Sequence, residues 1–151
     1  MARVDDVAAY ILSKFDSPIT TMKLQKLAYM AHGWSLAILG EPLVDEGFQA
    51  WKNGPVCYPL FRLHRGRYVM ESIEQGDTSR LTVLEKIVLD GAIKNYGGLT
   101  GAQLGEKTHQ SGTPWSRARN GAVDGAPGSA MISNTDIASH FREILGLRAS
   151  T

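Results

Sequence analysis

Cysteine is nearly absent from this sequence: Cys57 is the only one in 151 residues. That excludes an intramolecular disulfide framework and a zinc ribbon, and it agrees with a reducing compartment. Long hydrophobic runs are missing too. No apolar stretch approaches the roughly 20 residues that span a bilayer, and the N-terminal stretch carries Arg3, Asp5, Asp6 and Lys14, which a signal-peptide core would exclude. A cytoplasmic location is therefore expected. Neither charge sign dominates. The formal net charge of +1 argues against a dedicated nucleic-acid binder, because such proteins concentrate cations to displace counterions from phosphates. Metal-ligand pairs are lacking as well. His32, His64, His109 and His140 stand apart, with no His-x-x-x-His, Cys-x-x-Cys or Glu-x-x-His spacing to put two ligands on one face. No metal or cofactor is expected. The glycine-rich stretch 121–128 has no lysine and no preceding strand, so it is a poor phosphate loop.

What is present is a core. With 43% hydrophobic and 21% charged residues, the chain is long enough for one real core and too short for two. We expect a single domain over residues 1–147 and a frayed tail at 148–151. The stretch 20–40 organises the rest. Leu24, Leu27, Ala28, Ala31, Trp34 and Ile38 recur at helical spacing, Thr20 suits an N-cap, and Gly40 before Pro42 suits a stop. Met22, Tyr29, Met30 and Ala37 extend the apolar surface around most of the cylinder, which predicts a helix buried on most sides.

Residues 4–15 show a one-sided helical pattern in Val4, Val7, Ala8, Ile11, Leu12 and Phe15, ended by Ser17-Pro18. Spacing near two around Gln49 predicts a short strand. Asn53-Gly54 marks a turn, and Pro55 suits the first position of a third helix running to about His64. A loop or weak strand at 68–70 follows. Residues 81–96 form a further helix with Leu84, Ile87, Val88, Gly91 and Ile93 on one side. Thr100 caps a helix at 101–108, Thr113 with Pro114 starts another that carries Trp115 inward, and residues 120–129 form a long loop. Residues 130–132 would pair antiparallel with the strand near Gln49, and Ser133 caps a last helix with a stripe of Ile137, Phe141, Ile144 and Leu145. The fold class is mainly α: a single compact helical domain around the central helix, with a small antiparallel β-ribbon.

Few residues carry reactive chemistry. Cys57 near a helix start could have a lowered pKa, but no histidine base accompanies it in sequence, and a free cysteine is commonly a small buried hydrophobe. Arg62, His64, Arg65 and Arg67 form a basic run at the end of the third helix. They suit either an acidic partner or phosphate, or simply complement the helix dipole in solvent. Trp34 reads as core. Trp51 and Trp115 read as core or as the lining of a binding groove, and His109 beside Trp115 as a loop-bracing residue.

Four pieces of this sequence, in order, resemble the Panacea domain family of SocA-like antitoxins. They are Met22-Lys23-Leu24-Gln25-Lys26-Leu27 with Tyr29; Ala50-Trp51-Lys52-Asn53-Gly54-Pro55-Val56; Thr108-His109 with Pro114-Trp115; and Ile132-Ser133-Asn134. The resemblance implies an antitoxin that binds a cognate protein toxin, usually encoded beside it, rather than an enzyme. Members neutralise either by direct complex formation or, in the SocA branch, as adaptors that deliver the toxin to the ClpXP protease. Overall similarity leans to the adaptor branch; a DNA-binding regulator using the basic run and an enzyme using Cys57 or His109 are the other classes left open. The chain departs from the pattern in its longer glycine-rich loop at 120–129. On this reading the candidate partner-binding residues are Lys26, Tyr29, Trp51, Arg62, Arg65, Arg67, His109 and Trp115, with exposed apolar groups near Tyr29, Trp51 and Trp115 facing the toxin.

Overall fold

In the computed structural model, which describes residues 2–120 and 128–147, the central helix is α2, Thr21–Leu39. Its limits follow from local chemistry. The Thr20 hydroxyl accepts the Lys23 amide hydrogen, and Gly40 closes the other end at φ 74°, a left-handed geometry that glycine adopts without steric cost. Every residue from Leu24 to Gly33 is buried.

Around it pack α1 (Val4–Ser13), α4 (Val83–Tyr96), α5 (Gly101–Thr108) and α7 (Asn134–Leu145), with the shorter α3 (Tyr58–His64) and α6 (Pro114–Arg119) at the periphery. The α2–α7 contact is close because Gly33 has no side chain. A Cβ there would sit 2.4 Å from the Phe141 ring. Tyr29 packs edge-on against both Phe48 and Phe141, at 5.3 and 5.8 Å between ring centres. Capping is heavily used. Thr82 with Glu85, and Thr100 with Gln103, form complete capping boxes; Thr113 and Ser133 cap α6 and α7 by accepting amide hydrogens three residues on. The buried carboxylate of Asp6 ties α1 to the 3-10 turn Thr78–Arg80. It accepts two hydrogen bonds from Arg80, at 2.8 and 3.0 Å, and one from the Asp77 amide. Those bonds, Arg80's first, hold Asp6 below the usual carboxylate range.

Two antiparallel ribbons accompany the helices, where one is expected from sequence. Strand β1 (Ile19–Thr20) pairs with β4 (Val69–Met70), and β2 (Gln49–Trp51) pairs with β3 (Gly54–Val56). Residues 130–132 do meet β2, on its other edge, through a bridge between Gln49 and Met131. Bonds from the Ala50 amide to Ala130 and from the Ile132 amide to Phe48 hold it there.

The structure corrects the sequence reading at three places. Pro55 lies in β3, and α3 starts at Tyr58 with Pro59 in its first turn. Lys52 and Asn53 form a two-residue hairpin loop between Trp51 and Gly54. Pro55 is tolerated in the ribbon because its partner Ala50 directs its own amide and carbonyl to the opposite edge, towards Ala130 and Arg119. On α4, Leu84 and Ile87 are 57% and 59% exposed, and the buried face is Val88, Leu89 and Ala92. On α7, Ile144 is exposed while Ile137 and Phe141 are buried. In both helices the apolar stripe runs past the last element that covers it. Most of the 120–129 loop and the 148–151 tail lie outside the described residues. Among the described residues, no helix is long and apolar enough to cross a membrane.

Candidate functional site

A groove of about 290 Å³ opens between the first turns of α2, the β2–β3 hairpin and α3. Met22, Gln25 and Lys26 come from the helix, Trp51, Lys52, Asn53 and Val56 from the hairpin, and Phe61 and His64 from α3. The first two of the four sequence pieces therefore face each other across one cleft.

Gln25 fixes the three elements relative to one another. Its carbonyl oxygen accepts the Cys57 amide hydrogen at 2.8 Å, and its amide nitrogen donates to the Cys57 carbonyl at 3.1 Å and to His64 Nε2 at 3.0 Å. Because that nitrogen is a donor, His64 Nε2 is the acceptor and the ring is the neutral tautomer protonated on Nδ1. Burial, with the nearby Lys26 charge, lowers the His64 pKa and keeps it neutral. Cys57 itself is fully buried. Desolvation outweighs its position at the start of α3 and pushes its thiol up to about 12, so it is a protonated hydrophobe and not an activated nucleophile.

Lys26 is 2% exposed. Its Nζ donates to the Pro55 carbonyl at 2.8 Å, and burial lowers its pKa to about 7. The hairpin leaves space for it: a Cβ on Gly54, at φ 118°, would lie 2.9 Å from Lys26 Cε.

At the rim, the Trp51 ring meets Phe61 at 5.0 Å and Tyr58 at 6.4 Å. The Arg65 guanidinium lies 5.2 Å from the centre of the Phe61 ring and donates to the Tyr58 hydroxyl. Trp51 Nε1 bonds Gln49. The third sequence piece, through Trp115, and Arg119 of α6 brace this hairpin from behind. Trp115 Nε1 donates to the Trp51 carbonyl, and Arg119 to that of Ala50. In the fourth piece, Asn134 Oδ1 meets His32 Nε2 at 3.0 Å.

Of the residues proposed from sequence, Lys26 and Trp51 line the groove and Arg65 stands at its rim. Arg62 and Arg67 are exposed outside it. Tyr29 and Trp115 are 2% and 4% exposed, so buried packing replaces the exposed surface expected there. His109 packs on Trp115 at 5.4 Å, and its Nδ1 is buried with no hydrogen-bond partner among the described residues. Sequence reasoning did not reach Gln25, Tyr58 and Phe61 as site residues. The usable signal was the spacing of Tyr58, Phe61 and Arg65, which puts them on one helix face.

Helical body, hairpin and groove define a compact mainly α domain in which the first three of the four sequence pieces meet at one hairpin. The family described as antitoxin SocA-like, Panacea domain, matches residues 24–116, a span that runs from the groove helix to Trp115. The chain is 34% identical to Antitoxin SocA of Caulobacter vibrioides (strain NA1000 / CB15N), with 90% of this chain and 80% of that protein covered. The protein belongs to the SocA-like antitoxin, Panacea domain family. No solved structure matches it.

Proposed function

We propose that the protein is the antitoxin of a toxin–antitoxin pair, that it binds its cognate protein toxin through the β2–β3 groove, and that it acts as an adaptor presenting the toxin to the ClpXP protease. The observation that carries the binding part is the rim cluster of Trp51, Tyr58, Phe61 and Arg65 around a mostly apolar groove. Tryptophan, tyrosine and arginine over a desolvated pocket are the residues that concentrate binding energy in protein interfaces. Family membership supplies the kind of partner.

An adaptor must hold two partners at once, and its gain is effective concentration rather than bond-making. Val83, Leu84 and Ile87 support this reading. They expose apolar surface on α4, and none of them lines the groove. That leaves one face for the protease while the other holds the toxin.

The test is degradation of the protein encoded beside this one by purified ClpXP and ATP, with and without this chain. Accelerated loss of that protein, with this chain surviving, supports the adaptor reading. Tight binding without accelerated loss makes it an antitoxin that neutralises by complex formation alone.

A further inference from the structure

We infer that the groove receives a carboxylate carried on an otherwise apolar segment of the partner protein, and that the Lys26 ammonium meets it. This inference rests on the toxin-binding reading and specifies its chemistry. A lysine ammonium has three N–H donors. Pro55 accepts one. Among the described residues no carboxylate pairs with Lys26. Buried charges are ordinarily paired, because removing an ion from water costs far more than one hydrogen bond to a carbonyl returns. Here an almost fully buried lysine without a carboxylate partner belongs to the lining of an open groove, and Gly54 leaves room for its side chain against the hairpin.

The other groups lining the groove strengthen the match. His64 is neutral and its Nε2 is occupied by Gln25. Lys52 at the hairpin loop lines the groove, and Arg65 on the Phe61 ring adds positive charge at its mouth. The lining contains no aspartate or glutamate. Met22, Val56, Trp51 and Phe61 form its apolar walls. An acidic side chain, or a chain-terminal carboxylate, flanked by large apolar residues satisfies both the cation and the walls. Its arrival completes an ion pair in a low-dielectric site, where attraction is strongest.

The test uses the full chain and two probes, N-acetyl-leucyl-phenylalanine with a free carboxylate and the same dipeptide as its amide. Binding is followed by NMR at Lys26 Cε and at the Trp51 indole N–H. The free acid is expected to move both signals and to bind about tenfold or more tightly than the amide. Lys26→Met is expected to erase that preference. Equal binding of acid and amide, or no response at Lys26, overturns the inference, and this wild-type comparison stands even if the variant does not fold. Binding of the neighbouring gene's product to the wild type is measured in parallel. Acid preference without that binding contradicts the antitoxin reading, whereas that binding without acid preference contradicts only the role given to Lys26.

Discussion

The indole N–H of Trp115 donates a 2.6 Å hydrogen bond to the backbone carbonyl of Trp51, 64 residues away. One tryptophan is buried and the other stands at the groove rim, so the bond links the core to the surface that is proposed to bind. Trp115→Phe keeps most of the apolar volume and removes the donor. It is expected to cost about 1–3 kcal/mol, read as a lower thermal midpoint, and to change the Trp51 fluorescence as the hairpin loosens. An unchanged midpoint and spectrum would contradict the linkage.

The packing of α2 on α7 depends on Gly33. Gly33→Ala forces its new methyl group into the Phe141 ring and is expected to cost about 1–3 kcal/mol by overpacking. Phe141→Leu in the same chain should recover part of that loss, so the two changes will not add. Denaturant unfolding of both single variants and the double variant checks this.

Lys26 gives stability a dependence on alkaline pH. Its pKa falls from 10.5 to about 7 on folding, so between those values the unfolded chain binds more protons and stability rises with pH. Lys23, also lowered by burial, acts in the same direction. Above about pH 10 the buried Tyr29, whose pKa is raised, opposes the trend. The Lys26 contribution is on the order of a few kcal/mol. Lys26→Met should flatten the rise between pH 7 and 10, as measured by urea midpoints.

His32 governs the acid side. Its Nδ1 accepts the Val44 amide hydrogen, so the proton sits on Nε2 and is donated to Asn134. Burial lowers its pKa from 6.5 to about 4. The unfolded chain therefore binds more protons over that range, and stability falls as pH drops from about 6.5 to 4, by on the order of 3 kcal/mol. His64 and His140, lowered as well, add to the slope. Asp6 has a depressed pKa, so its contribution is lost only below its ordinary value of 3.8. His32→Gln should reduce the slope between pH 4 and 6.5 and leave the lower limb alone.

Much of the fold could be read from sequence because its stop and start signals are local. Thr20, Thr100, Thr113 and Ser133 cap the next residues of their own chain, and Gly40 closes α2 without help from elsewhere. Pro55 was ambiguous for the opposite reason. Proline suits a helix start as well as a strand edge, and only the pairing with Ala50 decides between them. The exposure of Leu84 and Ile87 was not legible because periodicity defines a stripe without saying how far a neighbour covers it. At the site, Lys26 and Trp51 stood out as sequence pieces. That Tyr29 and Trp115 turn inward, and that Gln25 reaches Cys57 and His64, depends on contacts between distant segments.

The hairpin groove is the surface proposed to bind the toxin. Calorimetric titration of the purified protein with the product of the neighbouring gene tests it most directly, using wild type, Trp51→Ala and, as a surface control, Arg62→Ala. Tight one-site binding is expected for wild type and the control, with a loss of about 2 kcal/mol or more, roughly thirtyfold in Kd, for a folded Trp51→Ala. Equal binding by all three would place the interface elsewhere, and no binding by the wild type would contradict the antitoxin reading itself.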